Sequence, residues 1–174
     1  MKIIFTILVL LTTIEKATSQ VSQEWVARYN GPGNWIDEAK SIAIDGSGNV
    51  YVTGYSKGNG TSNDYATIKY NSSGVQQWVA RYNYAINLYD EATSIAVDGS
   101  GNVYVTGYST SIGENTDYAT IKYNSSGAQQ WVQRYNGPGI LLNTHDEAYS
   151  IAVDSSGNVY VKGVVMAAEQ DMIM

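Results

Sequence analysis

The sequence lacks cysteine and contains only two prolines and one histidine among its 174 residues. The absence of cysteine excludes disulfides, thiolate zinc sites and cysteine nucleophiles. With His145 as its single histidine, the chain has no multi-histidine metal site and little basis for a Ser-His-Asp triad. Charged residues make up 15% and the net charge is −6. This composition argues against charge-driven disorder and against nucleic acid as a partner.

Long hydrophobic runs are scarce, and the longest lies at the N-terminus. Lys2 precedes the apolar stretch 3–14, and Ala17 and Ser19 are small residues at the −3 and −1 positions of a cleavage site. The pattern predicts a signal peptide over residues 1–19, cleaved after Ser19. A membrane anchor is the alternative, but a twelve-residue helix covers about 18 Å of a bilayer core of about 30 Å. We therefore expect a protein that is secreted or held at the cell surface, with no membrane span after cleavage.

Internal repeats dominate the rest of the chain, residues 20–163. Trp25, Trp78 and Trp131 are spaced by 53 residues, and 39 of 53 positions are identical between residues 25–77 and 78–130. The third copy carries a three-residue insertion before Asp146 and stays in register to Gly163. A period of this length is typical of arrays, solenoids and propellers.

Each copy predicts four strands rich in β-branched and aromatic residues, separated by Gly/Asn turns. In the first copy they are Ser41–Asp45, Val50–Tyr55, Tyr65–Tyr70 and Gln77–Tyr82. Alternate residues place packable side chains on both faces, whereas a sandwich strand would carry polar residues outside. The sequence therefore predicts an all-β fold of four-stranded antiparallel β-propeller blades.

The strand count predicts an incomplete propeller. An outer strand at Glu24–Asn30, two full blades, and the strands Ser150–Asp154 and Val159–Val164 make eleven strands, or about two and a half blades, whereas closure needs about four to eight. The open blade faces would be apolar, so we expect self-association through them.

Three recurring motifs resemble those of the SBBP repeat family, a seven-bladed β-propeller repeat of bacteria and archaea. They begin in the first copy at Asp37 (DEAxSIA[IV]D[GS]SGNVYV), Asp64 (DYATIKYNSSG) and Gln77 (QWVxRYN). The resemblance covers residues 24–163. It implies a secreted or cell-surface protein without an assigned activity, and it transfers no catalytic residue.

Repeated carboxylates are the candidate metal ligands. Asp37, Asp90 and Asp146, each followed by Glu, precede the innermost strands, so they could ring one end of a channel and bind Ca²⁺. A structural role, accepting backbone N–H groups at the strand entry, is the favoured alternative because the residues recur in every copy. The turn 45–49 resembles part of a calcium loop but lacks its other carboxylates. We therefore predict no metal and no other cofactor.

Other candidate residues also have a structural alternative. His145 beside Asp146 could act as a general base, or lie in a surface loop. The recurring Trp and Tyr residues could stack on sugars, but their recurrence favours core packing. We expect the recurring basic residues to pair with carboxylates of neighbouring blades or to lie over aromatic rings; they are Arg28, Lys69, Arg81, Lys122 and Arg134.

These observations favour a non-enzymatic propeller segment with a binding or structural role and an unidentified protein or glycan partner. A truncated fragment without independent function, and a hydrolase or lyase with an acidic channel-mouth site, are the alternatives.

The repeat register is lost in the C-terminal tail, residues 164–174. Back-translated and read in a shifted frame, this tail permits the repeat to continue, with Asp at the expected distance after Gly163. We therefore hypothesise that residues 164–174 are the normal repeat read in a shifted frame.

Overall fold

The computed structural model describes residues 22–84, 88–111, 115–137 and 145–165. Regular structure in these ranges is entirely β. Its ten strands are β1 (Asp37–Ile44), β2 (Val50–Lys57), β3 (Asn63–Tyr70), β4 (Gln76–Tyr82), β5 (Asp90–Val97), β6 (Val103–Thr110), β7 (Thr116–Tyr123), β8 (Gln129–Tyr135), β9 (Glu147–Val153) and β10 (Val159–Val164). The predicted signal peptide, the third-copy insertion and the end of the tail lie outside the described residues.

The strands form three antiparallel sheets that follow chain order. Blade 1 is β1-β2-β3-β4, blade 2 is β5-β6-β7-β8, and blade 3 contains β9 and β10. Strand β1 contacts β5, and β5 contacts β9, so the first strands of successive blades lie side by side. The described blades do not close into a ring. The predicted all-β, incomplete propeller is therefore confirmed. No helix in the described ranges is long and apolar enough to cross a membrane.

Two faces of each blade have different chemistry. The aliphatic face of blade 1 carries Ile42, Ile44, Val50, Val52, Ala66 and Ile68, while its tyrosine face carries Tyr51, Tyr65, Trp78 and Tyr82. Paired positions such as Ile42 and Val52 share a face because side chains alternate along strands. The tyrosine face of blade 1 packs on the aliphatic face of blade 2, which contributes Ile95, Val103, Val105, Ala119 and Ile121. The main core therefore lies between blades.

The hairpin turns explain why glycine recurs between the strands. Gly48 and Gly74 have φ angles of +76° and +78°, a region that side chains disfavour. In the first turn, the Oδ1 atom of Asp45 accepts the backbone N–H groups of Ser47 and Asn49 at 2.9 and 3.0 Å. The same turn closes β5 to β6 and β9 to β10.

The expected strand at Glu24–Asn30 is wrong: these residues form no strand. Their side chains Trp25, Ala27 and Tyr29 nevertheless pack on the aliphatic face of blade 1. A β-strand needs a neighbour to exchange main-chain hydrogen bonds. None of the described strands pairs with this segment through main-chain hydrogen bonds.

The first strand of each blade also begins earlier than predicted. β1 begins at Asp37 rather than Ser41, and its pairing with β2 shifts between Ala39 and Ser41. Blade 2 repeats this irregularity between Ala92 and Ser94. The shift interrupts the regular alternation of side chains, which hid the start of the strand in the sequence.

Candidate functional site

An open groove lies on the aliphatic face of blade 1. It has a volume of about 500 Å³, and Ile42, Val50, Val52, Ala66 and Ile68 form much of its floor. Ile42 and Ile44 are 63% and 66% exposed. In contrast, Ile95, the counterpart of Ile42 in blade 2, is 7% exposed because the tyrosine face of blade 1 covers it. The groove is thus an unfilled version of the interface between blades 1 and 2.

Residues 24–30 form the outer wall of this groove. The rings of Trp25 and Tyr70 lie 6.0 Å apart, and Arg81 Nη1 donates a hydrogen bond to the Tyr29 hydroxyl at 3.2 Å. Blade 2 receives the same contacts from β4. There, Trp78 lies 6.3 Å from Tyr123, and Arg134 donates to Tyr82 at 3.4 Å. Residues 24–30 therefore stand where the fourth strand of a preceding blade would stand.

Charged groups line the inner end of the groove. Asp37, Glu38 and Lys40 contribute to its lining, and Lys40 Nζ lies 2.5 Å from a Glu38 oxygen. The Tyr55 hydroxyl donates to the other Glu38 oxygen at 2.5 Å. Hydrogen bonds from Lys40 and Tyr55 lower the pKa of Glu38. The hydrogen bond to Glu38, with some burial, raises the pKa of Tyr55 to about 12.

The three candidate aspartates each accept a backbone N–H group from the preceding loop. The donors are Gly31 to Asp37 at 3.0 Å, Tyr84 to Asp90 at 3.1 Å, and Gly137 to Asp146. The donor lies six residues upstream in the first two copies and nine in the third, which matches the three-residue insertion. Asp37 and Asp90 begin their strands, and Asp146 directly precedes β9. Each carboxylate thus holds the loop that precedes its blade through a hydrogen bond.

Burial shifts the pKa of the Asp90 carboxyl group. It is fully buried, and desolvation raises its pKa to about 6. Hydrogen bonds from Ser109 and the Tyr84 N–H oppose this rise, the Asp64 charge adds to it, and Arg134 opposes it. Asp64 belongs to blade 1, so a carboxylate of one blade helps to raise the pKa of a carboxylate in the next. Among the residues that the structure describes, no group of three or more His, Asp or Glu side chains could hold a metal ion.

The turn that resembles a calcium loop supplies its own hydrogen-bond donors. Besides its two backbone donors, Asp45 accepts the Asn49 side-chain amide at 2.8 Å and the Tyr51 hydroxyl at 2.9 Å. Burial opposes ionisation of Asp45, but these hydrogen bonds outweigh it and lower the pKa to about 2. Asp98 and Asp154 make the same contacts. Protein donors therefore occupy both carboxylate oxygens of each turn aspartate.

The basic residues follow the sequence expectation only in part. Lys69 and Lys122 lie over the rings of Tyr51 and Tyr104 at 5.1 and 5.0 Å, as predicted. Arg134 also lies over an aromatic ring, that of Tyr84 at 3.7 Å, as predicted. The alternative, pairing of the arginines with carboxylates of neighbouring blades, is wrong: Arg81 binds Asp64 at 2.8 Å and Arg134 binds Asp117 at 2.7 Å, within one blade. The strands that carry each pair are adjacent in the sheet. The neighbouring segment contributes a tyrosine hydroxyl instead. Arg28 is exposed.

The remaining candidates lie at blade interfaces or beside the insertion. His145 is exposed and forms an isolated parallel bridge with Thr116 at the start of β7. The indole of Trp78 lies between blades and donates to the Ser125 carbonyl at 3.2 Å. Sequence reasoning missed the buried hydrogen bond from the Tyr65 hydroxyl to the Ala119 carbonyl, 3.1 Å long. The alternation of tyrosines on one face was the signal for such contacts.

Comparisons with known proteins agree with this architecture. The β-propeller repeat of the SBBP family matches residues 24–60, 77–114 and 130–163, more than half of the chain. No curated protein sequence matches the chain.

Two solved structures resemble the fold. A periplasmic gluconolactonase of Pseudomonas aeruginosa has 13% sequence identity and a TM-score of 0.43, over 71% of this chain and 36% of that protein. This chain thus spans about a third of the gluconolactonase. A fucose lectin from Kordia zhangzhouensis, in complex with methyl-fucoside, has 14% identity and a TM-score of 0.39, over 74% of this chain and 84% of the lectin. From its three repeat matches, the chain belongs to the SBBP family of β-propeller repeats.

Proposed function

We propose that the protein is a secreted or cell-surface, non-enzymatic propeller module that works by binding through its open blade faces. One observation carries the proposal. In the groove on blade 1, Ile42 is 63% exposed, whereas its equivalent on blade 2, Ile95, is 7% exposed because another blade covers it. Exposed apolar surfaces of this kind mark interaction sites in soluble proteins.

The use of the repeated carboxylates supports a binding role over catalysis. Asp90 and Asp146 are fully buried and accept hydrogen bonds from their own loops. The turn aspartates Asp45, Asp98 and Asp154 are occupied by Asn and Tyr donors. A general acid or base must reach a proton on the substrate. These groups instead hold the blades in shape.

The truncated-fragment alternative draws on the same open faces. Blade 3 has two described strands, and its outward side chain Tyr160 is 58% exposed. A fragment of a larger propeller would have this appearance, but its exposed faces would give no specific assembly. The two readings therefore differ in how the purified chain associates.

Light scattering on residues 20–174 tests the proposal, with Ile42→Asp as the probe variant. Ile42 lines the groove and is 63% exposed, so a charge there should leave the blade folded but make the groove unsuitable for an apolar partner. Val75→Asp is the matched control, since Val75 is 57% exposed in a turn. We expect a discrete assembly for the unmodified chain and the control, and its loss in Ile42→Asp. A folded monomer, or assembly unaffected by Ile42→Asp, contradicts the proposal.

A further inference from the structure

Each complete blade contains a tyrosine–tryptophan pair. The two ends of the described chain each carry one member of such a pair without the other. Tyr51 of β2 lies 6.2 Å from Trp78 of β4, and Tyr104 of β6 lies 6.2 Å from Trp131 of β8. Tyr160 holds the corresponding tyrosine position in β10. Blade 3 has no described fourth strand to supply its tryptophan. At the other end, Trp25 holds the tryptophan position without a second strand beside it.

We propose that a second copy of this chain places the tyrosine face of its blade 3 in the open groove, so that Tyr160 of one copy pairs with Trp25 of the other. The inference rests on the proposed function and names the partner at the same surface. β9 and β10 of one copy and residues 24–30 of the other would share one composite blade. The interface between blades 1 and 2 supplies the template for this contact.

The side chains on blade 3 match those that fill the equivalent position on blade 2. Ala43 and Tyr51 of blade 1 pack into the core against blade 2. Their counterparts in blade 3 are Ala152 and Tyr160, which pair across β9 and β10 and are both exposed. The floor of the groove repeats the surface that receives Ala43 and Tyr51. Contact would therefore bury apolar groups on both copies.

One position on blade 3 departs from the template in a way that suits the groove. Lys162 stands where Thr53 and Thr106 are fully buried in the complete blades. Asp37 and Glu38 line the groove together with Lys40, so the ammonium group would meet a wall that carries two carboxylates. The described residues supply no third strand between β10 and residues 24–30. The composite blade would therefore be held by contacts between faces rather than by main-chain hydrogen bonds along this edge.

The blade count of the described residues favours two copies. These residues supply two complete blades and one half of each of two composite blades, which is three blades per copy. Propellers typically contain about four to eight blades. Two copies give about six blades, whereas three copies give about nine. For the described residues, the proposed assembly is therefore a closed dimer in which both grooves are filled.

Cross-linking tests this arrangement, because the chain has no cysteine of its own. The variants Val26→Cys and Val161→Cys, the first carrying a tag, are co-expressed and treated with a bis-maleimide spanning about 10 Å, the width of two strand spacings. These positions correspond to Val79 and Val52, which both pair with Ile68 in blade 1, and they are 55% and 36% exposed. Both variants keep the rings of Trp25 and Tyr160. We expect cross-linked dimers joining 26 to 161, and none from either variant alone. Ser100→Cys, at an exposed turn, reports random collisions.

The outcomes separate this inference from the proposed function. A dimer by light scattering, a 26-to-161 cross-link and at least a tenfold weaker dimer in Tyr160→Ala support the composite blade. Cross-links between like positions overturn it, and so does a monomer. A discrete assembly that Ile42→Asp abolishes but that gives no 26-to-161 link overturns the head-to-tail dimer, while binding through the groove stands.

Discussion

Trp78 lies so close to Gly127 of the next blade that a β-carbon on Gly127 would fall 2.7 Å from the indole Cδ2 atom. Trp25 approaches Gly74 in the same way, at 2.6 Å. Each glycine thus meets two requirements, a positive φ in its own turn and space for the tryptophan that precedes its blade. The close contact makes these turns part of the packing between neighbouring segments.

The first prediction separates these two requirements with a matched pair of glycines. Gly127 and Gly157 have φ angles of +84° and +83°, but a β-carbon on Gly157 meets nothing within 4 Å. Gly157→Ala should lower the free energy of unfolding by about 1 kcal/mol through backbone strain. Gly127→Ala should cost about 1–3 kcal/mol more because it displaces Trp78. Urea denaturation measures both, and equal losses would contradict the steric argument.

A second prediction concerns the hydroxyl of Tyr65, which donates to the Ala119 carbonyl across the blade interface. Tyr65 is 1% exposed, so Tyr65→Phe leaves a buried carbonyl without this donor. The free energy of unfolding should fall by about 1–2 kcal/mol. Tyr84→Phe is the control, since Tyr84 is 52% exposed and its ring would still cover Arg134. Thermal melting compares the two, and an equal effect in both would refute a specific role for the buried hydroxyl.

The third prediction is a pH dependence that Asp90 imposes. Burial raises its pKa from 3.8 to about 6, so the folded state holds a proton that the unfolded state releases. Stability from this group is fully present below pH 3.8 and is lost as pH rises toward about 6. Asp90→Asn removes the titration. The difference in free energy of unfolding between the unmodified chain and the variant should therefore change across this window and be constant above it.

Control of this pH experiment comes from Asp45, whose pKa is lowered to about 2. Its stabilisation is present above pH 3.8 and is lost as pH falls toward about 2. Asp45→Asn should therefore differ from the unmodified chain mainly below pH 4, in the opposite direction. A flat difference for Asp90→Asn between pH 4 and 6 would show that its proton affinity is not raised.

The fourth prediction concerns calcium at Asp37, Asp90 and Asp146. Their carboxylates accept hydrogen bonds from preceding loops, which is the structural alternative to a metal ring. Millimolar Ca²⁺ should therefore shift the melting temperature by no more than an equal concentration of Mg²⁺. Because a ligand that binds the folded state stabilises it, a large calcium-specific shift at sub-millimolar concentration would restore the metal hypothesis.

The fifth prediction concerns export. If residues 1–19 are a signal peptide, the exported protein begins at Gln20. Intact-mass measurement of the exported fraction checks this, with Ala17→Arg as a variant that should block cleavage. A mature fraction that retains Met1 would contradict it.

The periodic pattern of the sequence predicted the blades. It did not predict the individual side-chain contacts within and between them. Alternation placed Tyr51 and Lys69 on one face, and the structure stacks them. It could not show that Arg81 reaches Asp64, because that contact depends on the register of β3 against β4. The β1 irregularity after Ala39 was likewise hidden, since a register shift leaves no fixed residue signature.

The sequence predicted an open, apolar blade face but not the groove that residues 24–30 form on it. The sequence identified Glu24–Asn30 as an outer strand from its likeness to β4. The structure keeps the side-chain contacts of Trp25 and Tyr29 but forms no strand. A strand requires main-chain hydrogen bonds to a neighbour, whereas side-chain packing does not. The residue pattern predicts side-chain packing more directly than it predicts main-chain pairing.

Three hydrogen bonds that join blades 1 and 2 span about one repeat: Tyr65 to Ala119, Trp78 to Ser125, and Arg134 to Tyr82 lie 54, 47 and 52 residues apart. Each blade therefore meets its neighbour with groups that every copy encodes. Duplication or loss of a whole copy in the gene would preserve these contacts, since the new neighbours would present the same chemistry. Insertion of part of a copy would leave a tyrosine face without its aliphatic counterpart. Near-identical repeats thus allow such genes to change length in whole units by recombination while the blades keep packing.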